Sequence, residues 1–193
     1  MNLKDQKAAV TRQKFIDVAH GLFQTRGYGE TSMNQIAKEA GGSRANLYLH
    51  FRNKPDLMMA KMREIEPEVR VSVAQVFALP EYTLDTMLGW LGTMARMWRE
   101  HAMDFSAMEQ AMAADADVAE EWLGMMRRMS STIPELAGDE PRRFQFLAAL
   151  MGMDRTFYFL YVRGHDINED AVHRALARQW LLVFSEVDQP VTG

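Results

Sequence analysis

The sequence predicts an all-α protein, with a small N-terminal helical domain followed by a larger helical body, about nine helices in all. Apolar residues recur at steps of three and four along nearly all 193 residues, and glycines and prolines interrupt that pattern where helices must end. No stretch shows the sustained alternation of a half-buried strand. The apolar share of 48% with a charged share of 25% is that of a globular chain, so a packed core is the expectation.

Each element follows from local signals. Over residues 11–26, Phe15, Ile16, Ala19, Leu22 and Phe23 form one buried stripe, and Gly27 ends that helix. The hydroxyls of Thr31 and Ser32 offer caps for a second helix reaching Ala40; Gly41-Gly42 stops it, and Ser43 can cap a third over residues 44–49. Pro55 suits the first turn of a fourth helix, expected to reach Ala78 with a kink or break at Pro67. An internal proline removes one backbone hydrogen bond and clashes with the preceding turn. Residues 83–101 place Leu84, Met87, Leu88, Leu91, Met94, Ala95 and Trp98 on one face of a fifth helix. A shorter piece covers 104–113, and another helix covers 117–133 before Pro134. Asp139-Glu140-Pro141 opens a long helix to Arg163, which Gly164 stops; Asn168-Glu169-Asp170 opens the last, ending near Glu186.

Several function classes are disfavoured. Cysteine is absent, which excludes disulfides and cysteine-ligated zinc. No apolar run approaches the ~20 residues that span a bilayer, and the first residues lack the apolar core of a signal peptide, so no membrane partner and a cytoplasmic location are expected. There is no phosphate loop, dinucleotide glycine pattern or His-Glu-x-x-His motif. Asp115, Asp117, Glu120 and Glu121 suit the acidic first turn of a helix as well as they suit a carboxylate site. His165 and His173 make a poor metal pair and are expected to face solvent. Neither enzymatic activity, nor a cofactor, nor a metal is expected.

Charge divides the chain. Residues 1–54 hold nine Lys or Arg against four acids, whereas the remaining 139 residues hold 13 against 22. A basic head on an acidic body fits a chain of which one end meets a polyanion, although solvated charge blocks also arise without a partner. Within that head, Ala37, Gly41 and Leu47 have the spacing of a helix-turn-helix. The small Ala37 permits a close helix crossing, Gly41 permits the sharp turn, and Leu47 pins the second helix to the core. The helix opened by Ser43 can then lie in a DNA major groove.

The series Phe15, Ala19, Leu22-Phe23, Gly27-Tyr28, Thr31-Ser32, Ile36-Ala37, Ala40-Gly41, Ser43, Leu47-Tyr48, His50-Phe51, Lys54 and Leu57 resembles the N-terminal signature of TetR-family regulators. The resemblance covers about 50 residues and implies a double-stranded DNA operator as partner. Arg44, Ala45 and Asn46 match the exposed first turn of the recognition helix, where Arg44 would fork onto guanine and Asn46 pair with adenine, each giving ~1–3 kcal/mol of discrimination. Tyr48, His50 and Lys54, with Thr31 and Ser43 near helix N-termini, match positions that hold the phosphate backbone. Two departures stand out. Gly42 replaces the apolar residue usual after the turn glycine, which predicts a looser turn. Ala45 replaces a frequent glycine, and its methyl either touches a thymine methyl or shifts the docking.

The family division places a helix-turn-helix domain at 1–54 and a ligand-binding and dimerisation domain at 55–193, with 55–78 as connecting helix. Eleven of the sixteen methionines and all four tryptophans lie beyond residue 85. Trp90, Met94, Met97, Trp98, Met108, Trp122, Met125, Met126, Met129, Met153 and Phe157 are the candidate lining of a pocket for a small apolar effector; a flexible bundle core is the alternative. Residues 113–122 and 154–157 are similar to the ligand domain of the subgroup containing the mycobacterial ethionamide-resistance regulator, with Met153 where that subgroup has a ligand-binding asparagine. The resemblance further implies a homodimer through the last two long helices and repression relieved by ligand. The alternative is a helical ligand-binding or enzymatic body with a vestigial DNA-binding head.

Overall fold

The computed structural model describes residues 2–185, and among these it holds nine α-helices and no strand. They are α1 Leu3–Arg26, α2 Met33–Glu39, α3 Arg44–His50, α4 Lys54–Ala74, α5 Leu84–Glu100, α6 Ala102–Ala114, α7 Ala116–Ser131, α8 Glu140–Phe157 and α9 Glu169–Phe184. The expected end of the last helix near Glu186 lies outside the described residues. No described helix is long and apolar enough to cross a membrane.

The caps read from sequence hold. Ser32, Ser43, Thr83, Asp139 and Asn168 each accept a hydrogen bond from the backbone of the first turn they precede. Three boundaries differ from expectation. Helix α1 begins at Leu3, not at residue 11, because Asn2 and Asp5 form a reciprocal capping box. Residues 3–10 are all exposed, so no apolar stripe marks them. Helix α4 does not break at Pro67, an exposed position where water can serve the carbonyl left without its donor, and only the residues after it, Gln75–Ala78, tighten into a 3₁₀ turn. Helix α8 ends in a π-helical turn, Tyr158–Val162, before Gly164 at φ 62°.

The chain forms two compact units that do not follow chain order. One comprises the residues up to Pro67 together with Met103–Leu123; the other comprises Glu68–Ala102 and the chain from Gly124 onward. In the first, Phe15, Ile16, Phe23, Tyr28, Ile36, Leu47, Leu57 and Met58 are buried along with Ala107, Met108 and Ala111 of α6. Fully burying a large apolar side chain contributes roughly 1.5–3 kcal/mol, and this shared core is what seats the short helices α2 and α3. Polar contacts join α6 to α1 and the turn after it over a long sequence separation: Asp104 Oδ1 accepts from His20 and, at 2.6 Å, from Gln24, while Gln110 accepts the Tyr28 N–H at 3.1 Å.

In the second unit the aromatic rings pack edge to face, Trp90 on Trp180 at 4.8 Å, Trp180 on Phe146 at 5.3 Å and Trp98 on Phe157 at 6.1 Å. The Trp90 indole donates to the Ser72 carbonyl at 2.9 Å. His165 is exposed, as expected, but His173 is not: its Nε2 lies 2.7 Å from Tyr161 Oη, which donates to Glu169 at 3.1 Å. Arg99 closes the group, paired with Glu169 and lying over the Tyr161 ring at 4.4 Å. The π-helical turn carries Tyr161, and α9 supplies both Glu169 and His173. Arg155 lies over the Tyr158 ring at 5.3 Å.

Candidate nucleic-acid interface

The site is built on α1. Its buried stripe seats α2 through Ile36 and Ala37 and seats α3 through Leu47, which is fully buried. Gly27, at φ 91°, lets the chain leave α1, and Tyr28 packs back on Phe23 at 5.1 Å. Ser32 and Gln35 form a capping box that starts α2. The turn between α2 and α3 is closed by the Gly41 N–H on Lys38 O at 3.0 Å and the Gly42 N–H on Ala37 O at 2.9 Å. Gly41 sits at φ 67°, the left-handed conformation its place in the motif required.

Gly42 does not loosen this turn. A Cβ at that position would stand 3.0 Å from Phe15 Cζ and 3.2 Å from Cε1, and Phe15 is only 2% exposed. The glycine is what lets the turn rest on the Phe15 ring.

With Leu47 anchored inward, Arg44, Ala45, Tyr48 and Leu49 share an exposed face of α3, and the Arg44 guanidinium lies over the Tyr48 ring at 5.4 Å. Ser43 is exposed and caps α3 by accepting the Asn46 N–H at 3.1 Å. Asn46 and His50 are half-buried, and His50 lies 5.9 Å from the Phe15 ring.

Two residues expected to touch phosphate make contacts within the head itself. Thr31 is 2% exposed, and its hydroxyl donates to Gly27 O at 2.9 Å. The Lys54 ammonium donates to Tyr28 O at 2.7 Å and Thr31 O at 3.1 Å and sits over the Tyr28 ring at 4.1 Å. Burial holds this ammonium below its ordinary range, against the pull of Asp115 and Glu30. Both residues brace the turn before α2, a role that their sequence positions do not distinguish from a phosphate contact. Arg52 is also matched locally, by Asp56 at 2.9 Å. Leu49, 82% exposed, was missed by sequence reasoning, although two steps beyond the Leu47 anchor the helical period already turns it outward.

Of the candidate ligand residues, Met108 and Trp122 belong to the first unit and the other nine to the second. All but the half-buried Trp122 are buried.

A basic helical hairpin with an exposed polar and apolar face on its second helix defines a helix-turn-helix protein. Comparison with known proteins places a likeness on this segment: residues 15–61 match the model of bacterial regulatory proteins, tetR family. The chain is 48% identical over 52 residues to the HTH-type transcriptional regulator AcrR of Shigella flexneri, which is 27% of this chain and 24% of that protein. It is 37% identical over 65 residues to the HTH-type transcriptional regulator LmrA of Bacillus subtilis, 33% of this chain and 35% of that one. The matches thus span about a quarter to a third of these curated relatives. The fold extends further. A Marinobacter aquaeolei TetR-family regulator superposes with a TM-score of 0.60 over 93% of this chain and 97% of its own, at 18% identity. Thermus thermophilus FadR, a TetR-family repressor solved with lauroyl-CoA, gives 0.59 over 94% and 99%, at 16% identity. Residues 15–61 are therefore similar to the helix-turn-helix segment of tetR-family regulators, and the described chain has the TetR fold.

Proposed function

We propose that the protein is a DNA-binding transcriptional regulator, a repressor that grips a near-palindromic operator as a homodimer and releases it when a small apolar ligand binds the body. The observation that carries this is the shared exposed face of Arg44, Ala45, Tyr48 and Leu49, opposite a buried Leu47, in a head rich in positive charge. In this reading residues 1–54 hold the DNA, residues 55–78 connect, and the rest binds ligand and partner.

The dimer is favoured by apolar side chains left exposed on the last two long helices, Phe144 at 58%, Met151 at 37% and Leu182 at 66%. A two-fold pair presents two recognition helices to two half-sites, which one helix of seven residues cannot match in contacts. An apolar effector is favoured by the methionines and aromatics of the second unit, and by the acyl ligand named with the Thermus relative. The tunnel of the ethionamide-resistance subgroup is a narrower version of the same proposal, resting on residues 113–122 and 154–157. Ligand releases DNA only if it binds the released conformation more tightly. A regulator of this kind works in the cytoplasm.

Selection of bound duplexes from a random pool tests the function. An enriched inverted repeat is expected; recovery of no preferred sequence would contradict the proposal.

A further inference from the structure

We propose that Ala45 and Leu49 form an apolar reading strip on α3 that recognises the C5 methyl of thymine in the major groove. This rests on the DNA-binding function proposed above and specifies what the centre of the reading face selects.

The strip follows from helix geometry. At about 100° per residue, Ala45 and Leu49 straddle the direction opposite the buried anchor Leu47. Arg44 and Tyr48 fall on one flank, and Asn46 and His50 on the other. The exposures agree: the Arg44, Ala45, Tyr48 and Leu49 side is open, while Asn46 and His50 are half-buried. One turn apart, Ala45 and Leu49 are neighbours on the helix surface. The two positions that face most directly away from the Leu47 anchor therefore carry side chains with no hydrogen-bonding group.

Leu49 is also the most exposed large hydrophobic side chain among the described residues, at 82%. A single exposed leucine is ordinary on a protein surface. Its place distinguishes this one, in the middle of a face flanked by Arg44 over Tyr48 and in a segment with nine basic residues against four acidic. Charge brings DNA to this face, and an apolar strip at its centre then needs an apolar group on the duplex. The major groove offers one, the thymine methyl. A guanine or cytosine edge beneath Leu49 would lose water without gaining a partner, so the same side chain that favours thymine also rejects its competitors.

The test uses the full chain and a duplex recovered from the random pool. Each thymine is replaced in turn by uracil, which removes the methyl and leaves the pairing edge intact. At one or two adjacent positions per half-site, uracil is expected to weaken binding about fourfold, the equivalent of ~0.8 kcal/mol for one buried methyl group. Leu49→Ala should bind thymine and uracil duplexes more nearly alike at the position Leu49 covers, leave any discrimination under Ala45 in place, and keep the salt dependence of the unaltered protein. Leu49→Gln, with a polar group of similar length, should move the preference there toward adenine. The exposed site makes both variants fold as the parent does, which thermal melting checks. A pool that yields no preferred duplex overturns the DNA-reading function itself. A preferred duplex that tolerates uracil everywhere, or a Leu49→Ala loss equal on all sequences, overturns the methyl strip and leaves the function standing.

Discussion

The Lys54 ammonium lies 2.7 Å from the Tyr28 carbonyl oxygen, so the first residue of α4 is fastened to the turn that leaves α1. With Thr31 O at 3.1 Å as a second acceptor and the Tyr28 ring at 4.1 Å, this side chain holds the loop on which α2 is placed. Charge-assisted hydrogen bonds contribute ~1.5–3 kcal/mol, so Lys54→Met should lower stability by about that much in denaturant titration. The salt dependence of DNA binding should stay unchanged. Parental stability with a salt slope reduced by about one would return Lys54 to the phosphate backbone.

Gly42 tests the contact beneath the motif. Phe15 is buried, and an added Cβ would stand 3.0 Å from its ring, so Gly42→Ala should cost about 1–3 kcal/mol through overpacking. An unchanged melting temperature would show that the turn does not rest on Phe15.

The tie between α1 and α6 is a pairwise claim. His20 is 5% exposed and donates to Asp104, which also accepts from Gln24. A double-mutant cycle with His20→Gln and Asp104→Asn should give a coupling of about 1 kcal/mol or more. Additive effects would mean that the two side chains merely lie side by side.

His173 predicts a pH dependence. Burial is the largest influence and lowers its pKa below the ordinary 6.5; Arg99 adds to this, and Glu169 and Asp170 oppose it. The folded state therefore binds this proton less readily than the unfolded state, and His173 contributes its full stability above pH 6.5. That contribution falls as pH drops below 6.5 toward the lowered folded value. Denaturation midpoints across roughly pH 5–8 should show the decline, and His173→Gln should flatten it. Glu169 acts in a lower window: burial raises its pKa, but the Arg99 and Tyr161 hydrogen bonds outweigh that and hold it below 4.5. An identical pH profile for the His173 variant would contradict the assignment.

What the sequence disclosed follows from the range of its signals. Helix period and caps act within one turn, so α2, α3 and the buried Leu47 were readable, and so was the need for a left-handed Gly41. The exposed start of α1 was not, because it carries no apolar stripe and depends on a cap between Asn2 and Asp5. The fates of Lys54, Thr31 and His173 depend on partners brought near by folding, and no spacing rule separates a braced lysine from one facing phosphate. The ties of Asp104 and Gln110 to α1 and the following turn cross 80 or more residues and left no local trace. The π-helical turn at Tyr158–Val162 differs from an α-helix in bonding, not in composition.

Methylation interference on the selected duplex examines the central claim most directly. Dimethyl sulfate marks guanine N7 in the major groove and adenine N3 in the minor groove. If α3 enters the major groove beside Arg44, modified guanines in each half-site will be excluded from the bound fraction, and Arg44→Ala will relieve at least one of them. Interference confined to adenines, or none at all, on a duplex with guanines in both half-sites would contradict the entry of α3 into the major groove beside Arg44.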